Sequence, residues 1–162
     1  MRPGTAALLD QADAAGQHAA RIMAAISAID GTPVQHTMPG PILSALIARL
    51  RQRAITAQLT LCPHLSYTAP APAIWCAWAP GRLRCTSCAH TVQRRIKGTA
   101  EDRRCDHCHR VVPTIHADMA QLPAIVVDLP PWPASCVPPV TLMFGLCPAC
   151  QAADSAGRRS GI

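Results

Sequence analysis

The sequence predicts an α+β fold in two parts, an N-terminal helical hairpin and a small module of short β-hairpins and short helices. Three observations carry this reading. Apolar residues recur at helical spacing up to about residue 58. From Leu61 the composition turns abruptly to Cys, His, Pro and Arg. Within that second part, seven cysteines and one histidine fall into four closely spaced pairs. The expected division is 1–58 for the helical pair, 59–155 for the second module and 156–162 for a flexible tail.

Residues 3–30 read as the first helix. Leu8, Ala12, Ala15, Ala19, Ile22, Ile26 and Ile29 alternate steps of four and three, the stripe of a helix packed on another helix. Asp30-Gly31-Thr32-Pro33 ends it, with Gly at the C-cap and Pro beyond. After a loop to Met38-Pro39-Gly40-Pro41, a second helix runs from about Ile42 to Gln58. Leu43, Leu46, Leu50, Ala54 and Ala57 line one face, and Arg49, Arg51 and Arg53 lie mostly elsewhere. A short connection suits an antiparallel pair, and either stripe could serve as a dimer seam.

In the second part, Ile74-Trp75-Cys76-Ala77-Trp78 reads as a strand. Ala79-Pro80-Gly81 turns it into Arg82-Leu83-Arg84-Cys85. Cys88 to about Lys97 suits a short helix closed by Gly98. Ala124–Leu129 and Val140–Phe144 read as strands joined by the proline-rich loop Pro130–Pro139. Cys147-Pro148-Ala149-Cys150 opens a final helix, and Ser155–Ile162 is expected to fray.

The paired residues are Cys62-Pro63-His64, Cys85-x-x-Cys88, Cys105-x-x-Cys108 and Cys147-x-x-Cys150. A tight turn with two intervening residues aims both sulfurs at one point, and Zn²⁺ takes four tetrahedral N/S ligands. One such pair is weak evidence. Eight ligands, enough for two ions, are strong evidence. The fold is therefore expected to be a two-zinc module, with two Zn²⁺ per chain as cofactor. Fe–S ligation could use the same thiols, but the histidine and the finger-like spacing favour zinc. Sequential pairing is favoured: Cys62/His64 with Cys85/Cys88, and Cys105/Cys108 with Cys147/Cys150. The alternative joins Cys85/Cys88 to Cys105/Cys108 across sixteen residues, and a cross-braced arrangement is third.

Under sequential pairing each unit is a ligand turn, a hairpin and a CxxC at a helix start. Gly81-Arg82-Leu83-Arg84-Cys85 and Phe144-Gly145-Leu146-Cys147 share a Gly and a Leu before a CxxC, a faint internal repeat. This layout, over residues 61–155, resembles the treble-clef zinc fingers. It departs from their usual pattern in its CxH turn and long second insert. The whole chain is also similar to small zinc-finger proteins of high-GC bacteria and their phages. That resemblance implies structural zinc and no particular activity.

Composition bounds the function. Hydrophobic residues make up 49%, but many are alanine and aromatics are only 3%. Small side chains contribute little at roughly 25 cal/mol per Å² buried, so metal cross-links supplement a thin core. No apolar run approaches the ~20 residues a membrane helix needs. No export signal is read at the N-terminus either, so the expected setting is cytoplasmic, with no membrane partner. There thiols stay reduced, and nine cysteines point to metal rather than disulfides. The formal charge is +6. Seven thiolates subtract seven and two Zn²⁺ restore four, which leaves about +3.

Catalytic readings are weaker. Cys105-Asp106-His107-Cys108-His109 matches the haem c attachment pattern, but that chemistry occurs outside the cytoplasm. Only twelve residues follow Cys150, too few for a redox βαβ unit. His116 near Asp118 is the sole candidate for a nuclease base. Cys76 reads as a small buried hydrophobe, and Cys136 lies unpaired in the proline loop. The expectation is a non-enzyme without a small-molecule substrate, a protein-interaction or regulatory scaffold. A protein partner or a second copy would use the N-terminal helices. The alternative is DNA or RNA binding through Arg82, Arg84, Arg94, Arg95, Lys97, Arg103, Arg104 and Arg110, which cluster around the ligands. The same cations could simply balance thiolate charge.

Overall fold

The computed structural model describes residues 14, 17–18, 21–22, 24–25, 28, 34–35, 39–65, 72–121 and 140–159. In order, the elements are β1 (Val34–Gln35), α1 (Pro41–Ile55), β2 (Thr60–Leu61), β3 (Ala73–Cys76), β4 (Arg82–Arg84), α2 (Thr86–Ile96), a 3₁₀ turn (Glu101–Arg103), β5 (His116–Gln121), β6 (Val140–Leu146) and α3 (Pro148–Arg159). Within the proposed first helix the described residues, from Ala14 to Ala28, are helical. Most of its apolar stripe, and Ala124–Leu129 with the proline loop and Cys136, lie outside the described residues.

The mixture of helix and sheet matches the predicted class. The strands form one six-stranded sheet, ordered β1-β5-β6-β3-β4-β2. Sequence patterning had suggested separate hairpins. What joins them is the parallel pairing of β3 with β6, Ala73 to Val140 through Cys76 to Met143. Strand β6 is buried along its whole length, as a central strand covered on both faces must be. The edges, β1 and β2, are two residues each, short enough to offer little template for unwanted pairing. Strand β5 was not predicted: His116-Ala-Asp-Met-Ala-Gln alternates only weakly, and it holds its place by full antiparallel register with β6.

Helix α1 starts at Pro41, whose ring fixes a helical φ where no N–H is needed. Its stripe Leu43, Leu46, Leu50 and Ala54 is buried as the spacing predicts, while Ala57 lies past the helix end and is exposed. These side chains share one core with Trp75, Leu83, Leu142 and Phe144 of the sheet and with Cys62, Cys105 and Cys147. Arg49 departs from the expectation of an outward face. It donates to the Ala77 carbonyl at 3.0 Å and lies over the Trp75 ring, 5.5 Å from the centroid.

The end of the chain corrects another expectation. Helix α3 runs to Arg159 instead of fraying from Ser155. Asp154 is buried and accepts the Ile42 and Leu43 backbone N–H groups at 2.8 and 3.1 Å, so one helix caps the start of the other. Gly157 allows close approach there: a Cβ on it would meet the Pro41 ring at 2.4 Å.

Candidate metal centres

Each centre is built from a turn, a strand and a helix start. In the first, Cys62-Pro63-His64 makes a tight turn, closed by Leu65 N–H to the Cys62 carbonyl at 3.0 Å. The turn is anchored by Cys62 N–H to the carbonyl of Leu83 at 2.9 Å. Leu83 lies on β4, which delivers Cys85 to the N-cap of α2 and Cys88 to its first turn. In the second, the chain doubles back between Arg104 and Val111. His109 takes the left-handed conformation that such a reversal needs, at φ 61°. The anchor is Asp106 N–H to the carbonyl of Gly145 on β6 at 2.9 Å. Strand β6 then delivers Cys147 and Cys150 to the start of α3. In both centres the anchoring carbonyl lies two residues before the CxxC. The faint repeat in the sequence is thus a repeat of hydrogen bonding.

The structure brings the eight ligands together as Cys62, His64, Cys85, Cys88 and as Cys105, Cys108, Cys147, Cys150. Within each group the ligand atoms lie within 4.8 Å of one another. This is the sequential pairing; Cys85/Cys88 and Cys105/Cys108 belong to different groups. A tetrahedral ion with Zn–S near 2.3 Å requires S···S edges of about 3.8 Å, and S···N edges of about 3.6 Å. Cys108 and Cys147 sulfurs are 3.8 Å apart. His64 Nδ1 lies 3.3 Å from the Cys88 sulfur and 3.9 Å from that of Cys85. Either group could therefore hold a metal ion through four protein ligands.

The surroundings favour anionic sulfur. Burial would raise the Cys62 thiol, yet backbone N–H groups of Cys85 and His64 outweigh it and lower its pKa. The Cys85 N–H donates to that sulfur at 3.2 Å. Burial likewise opposes ionisation of Cys105, but N–H groups of Cys108, Cys147 and His107 bring it down to about 7. The last ligand of each group is pushed the other way. Burial and the neighbouring sulfurs raise Cys88 to about 11, and Cys150 is raised for the same reasons. Four sulfurs, or the three that share a site with a neutral imidazole, cannot all be anionic this close unless a cation sits among them.

Asp106 is a participant that sequence reasoning passed over. It is 7% exposed, and its carboxylate accepts the Gly145 N–H at 2.7 Å while its own N–H donates back to Gly145. This two-way clasp fixes the second ligand turn to the strand that carries its partners. Burial pushes the Asp106 carboxyl up to about 6, with the Gly145 N–H and Arg49 opposing. Its position between two ligands gave no separate signal.

The remaining candidates lie outside the two ligand groups. Arg84 is committed to carbonyls of Ala79 and Arg82 at 2.8 and 2.7 Å, and Arg104 pairs with Glu101 at 3.1 Å. Arg82 Nε donates to Thr60 at 3.2 Å. Arg94, Arg95, Lys97, Arg103 and Arg110 are exposed. His116 is exposed on β5 with no acid bonded to it among the described residues. Cys76 is fully buried against Ile74, Ala89 and Met143, and burial raises its pKa to about 11. It should resist iodoacetamide at pH 8 in the folded protein and react only on unfolding, as peptide mass spectrometry would show. Labelling at the rate of a free thiol would contradict this placement.

Comparison with protein-family models, curated proteins and solved structures gives no match. The function must therefore be argued from these two centres and the surface around them.

Proposed function

We propose that both groups hold structural zinc and that the protein is a non-catalytic interaction module, an interaction or regulatory scaffold. The observation that carries this is the ligand geometry: two sets of four N/S donors, each set within 4.8 Å, with the separations Cys108–Cys147 and His64–Cys88 close to tetrahedral edges. Thiolate-rich donors favour Zn²⁺ over hard cations. A catalytic zinc keeps one position open for water, whereas an ion held by either group would have protein donors for all four positions. The repeated ligand turn, hairpin and helix start supports reading the module as a tandem treble-clef arrangement. On this reading a protein partner, or a second copy, engages the apolar stripe of the N-terminal helix.

The test is the metal content of the purified chain. Two zinc ions per chain are expected. Cys62→Ser with His64→Ala should lose one and keep the other, and Cys105→Ser with Cys108→Ser should do the reverse. Protein purified with no zinc, or with iron in its place, would refute the proposal. Loss of both ions from either double variant would refute the independence of the two sites.

A further inference from the structure

The described acidic side chains are almost all engaged within the protein. Glu101 pairs with Arg104. Asp102 accepts the Gly98 N–H at 2.8 Å. Asp106 is clasped to Gly145 and Asp154 caps α1. The basic side chains are not engaged to the same degree. Arg94, Arg95 and Lys97 at the end of α2, with Arg103 and Arg110 on the second ligand turn, are exposed. None of the five side chains has an ion pair or hydrogen bond among the described residues. Nor does any of them donate to a ligand sulfur, so balancing thiolate charge is not what holds them in place.

The segments that carry these five cations adjoin one another, although none of the five lines the cleft between them. The last turn of α2, the 3₁₀ turn and the second ligand turn border a common cleft, lined by Gln93, Ile96, Glu101, Asp102, Arg104 and Asp106 among others. Gln93 and Ile96 face that cleft, so the arginines beside them on α2 face away from it. The 3₁₀ turn holds the two halves together: Gly98 is tied to Asp102, and Val112 N–H donates to the Arg103 carbonyl at 2.9 Å. Arg103 and Arg110 thus flank the ligand turn at its base, and Arg94 and Arg95 extend the charge along a helix.

We infer that this surface binds the phosphate backbone of a nucleic-acid duplex, without reading its sequence. Four of the five cations are arginines, whose planar forks match phosphate oxygens. A membrane is disfavoured because Ile55 and Val111 are the large hydrophobics left exposed among the described residues, too few to insert. Single-strand recognition relies on stacking, and no described Phe, Trp or Tyr is exposed. A duplex offers the densest array of charge instead. The inference rests on the zinc reading in one respect: the second ion holds the turn that carries Arg103 and Arg110.

The test uses the full chain, its zinc content measured first, and fluorescence anisotropy of short labelled duplex DNA and duplex RNA. Five phosphate contacts predict a logarithmic salt slope near −4.5, a loss of roughly 500-fold in affinity between about 50 and 200 mM salt. Changing Arg94, Arg95, Arg103 and Arg110 together to Ala should cut the slope to about −1, with two zinc ions and the melting temperature retained. If that variant loses zinc, Arg94→Glu with Arg95→Glu, confined to the helix surface, should still weaken binding at least tenfold. Three results overturn the inference: no duplex binding at low salt by protein with two zinc ions, binding indifferent to these substitutions, or equal binding to polyglutamate or phosphatidylserine vesicles. Duplex binding by a chain without zinc would instead refute the zinc reading and leave this surface standing.

Discussion

Stripping the proposed zinc ions with a chelator is expected to unfold the sheet as a whole, not merely to loosen two turns. Each ion would tie together segments far apart in the chain, Cys62 to Cys88 in one case and Cys105 to Cys150 in the other. Structural zinc contributes on the order of 10–16 kcal/mol in small domains, against a total stability of about 5–15 kcal/mol for a typical one. This core cannot make up the difference. Its largest fully buried side chains are one Trp and one Phe, with Leu, Ile and Val behind them. Three ligand cysteines belong to the core itself, Cys62, Cys105 and Cys147, so losing the ion opens the apolar interior. Far-ultraviolet circular dichroism and a thermal melt, with and without chelator, would measure the effect. An apo-protein that still melts cooperatively within a few degrees of the loaded form would contradict it. The second centre should matter more than the first. It closes on the central strand β6 through Asp106 and Gly145, whereas the first closes on β4, next to the sheet edge. Cys105→Ser is thus expected to lower the melting temperature further than Cys62→Ser.

Local chemistry was the legible part of this molecule. Ligand residues announce themselves because a CxxC turn has a fixed spacing, and the helices α1 and α2 because apolar spacing and Pro or Gly punctuation are local too. The sheet was only half legible. Strands β3, β4 and β6 carry apolar or alternating runs, but nothing within a strand says which other strand it will meet. The β3–β6 pairing spans more than sixty residues of chain, and β5 depends on that partner more than on its own composition. Charges drawn into the interior, wholly or in part, were the least legible. Arg49 sits at the flank of the α1 stripe, Asp106 between two ligands, and Asp154 in an alanine-rich stretch just before the expected tail. Asp106 and Asp154 are buried, and Arg49 partly so, only because another element supplies a partner: Trp75 and Ala77 for Arg49, Gly145 for Asp106, the start of α1 for Asp154.

Asp154→Ala is expected to cost about 3 kcal/mol of folding stability. Two buried backbone donors at the start of α1 would lose their acceptor, and an unsatisfied buried donor costs about 1–3 kcal/mol. Loss of an N-terminal cap alone costs about 0.5–2 kcal/mol. No other residue can take over, because Gly40 at the N-cap has no side chain to offer. Space there is tight as well: a Cβ on Gly40 would lie 2.4 Å from the Asp154 Oδ1. Asp154→Asn separates hydrogen bonding from charge. A single oxygen, Oδ1, accepts both N–H groups, and an amide oxygen can do the same. What it loses is the negative charge facing the positive end of the α1 dipole, worth about 0.3–1 kcal/mol. The asparagine variant should therefore be much milder, near 1 kcal/mol. Urea unfolding of the zinc-loaded proteins would compare them, with a difference of 3 kcal/mol shifting the melting temperature by roughly 10 °C. If Asn proves as damaging as Ala, charge and not capping holds the helices together; if Ala changes stability by under about 0.5 kcal/mol, the contact is incidental. The effect should also reach the metal. Helix α3 carries Asp154 one turn beyond Cys150, so freeing its middle from α1 loosens the element that presents two ligands. Faster zinc release from the second centre of Asp154→Ala, with the first unchanged, would tie the cap to the metal it helps to place.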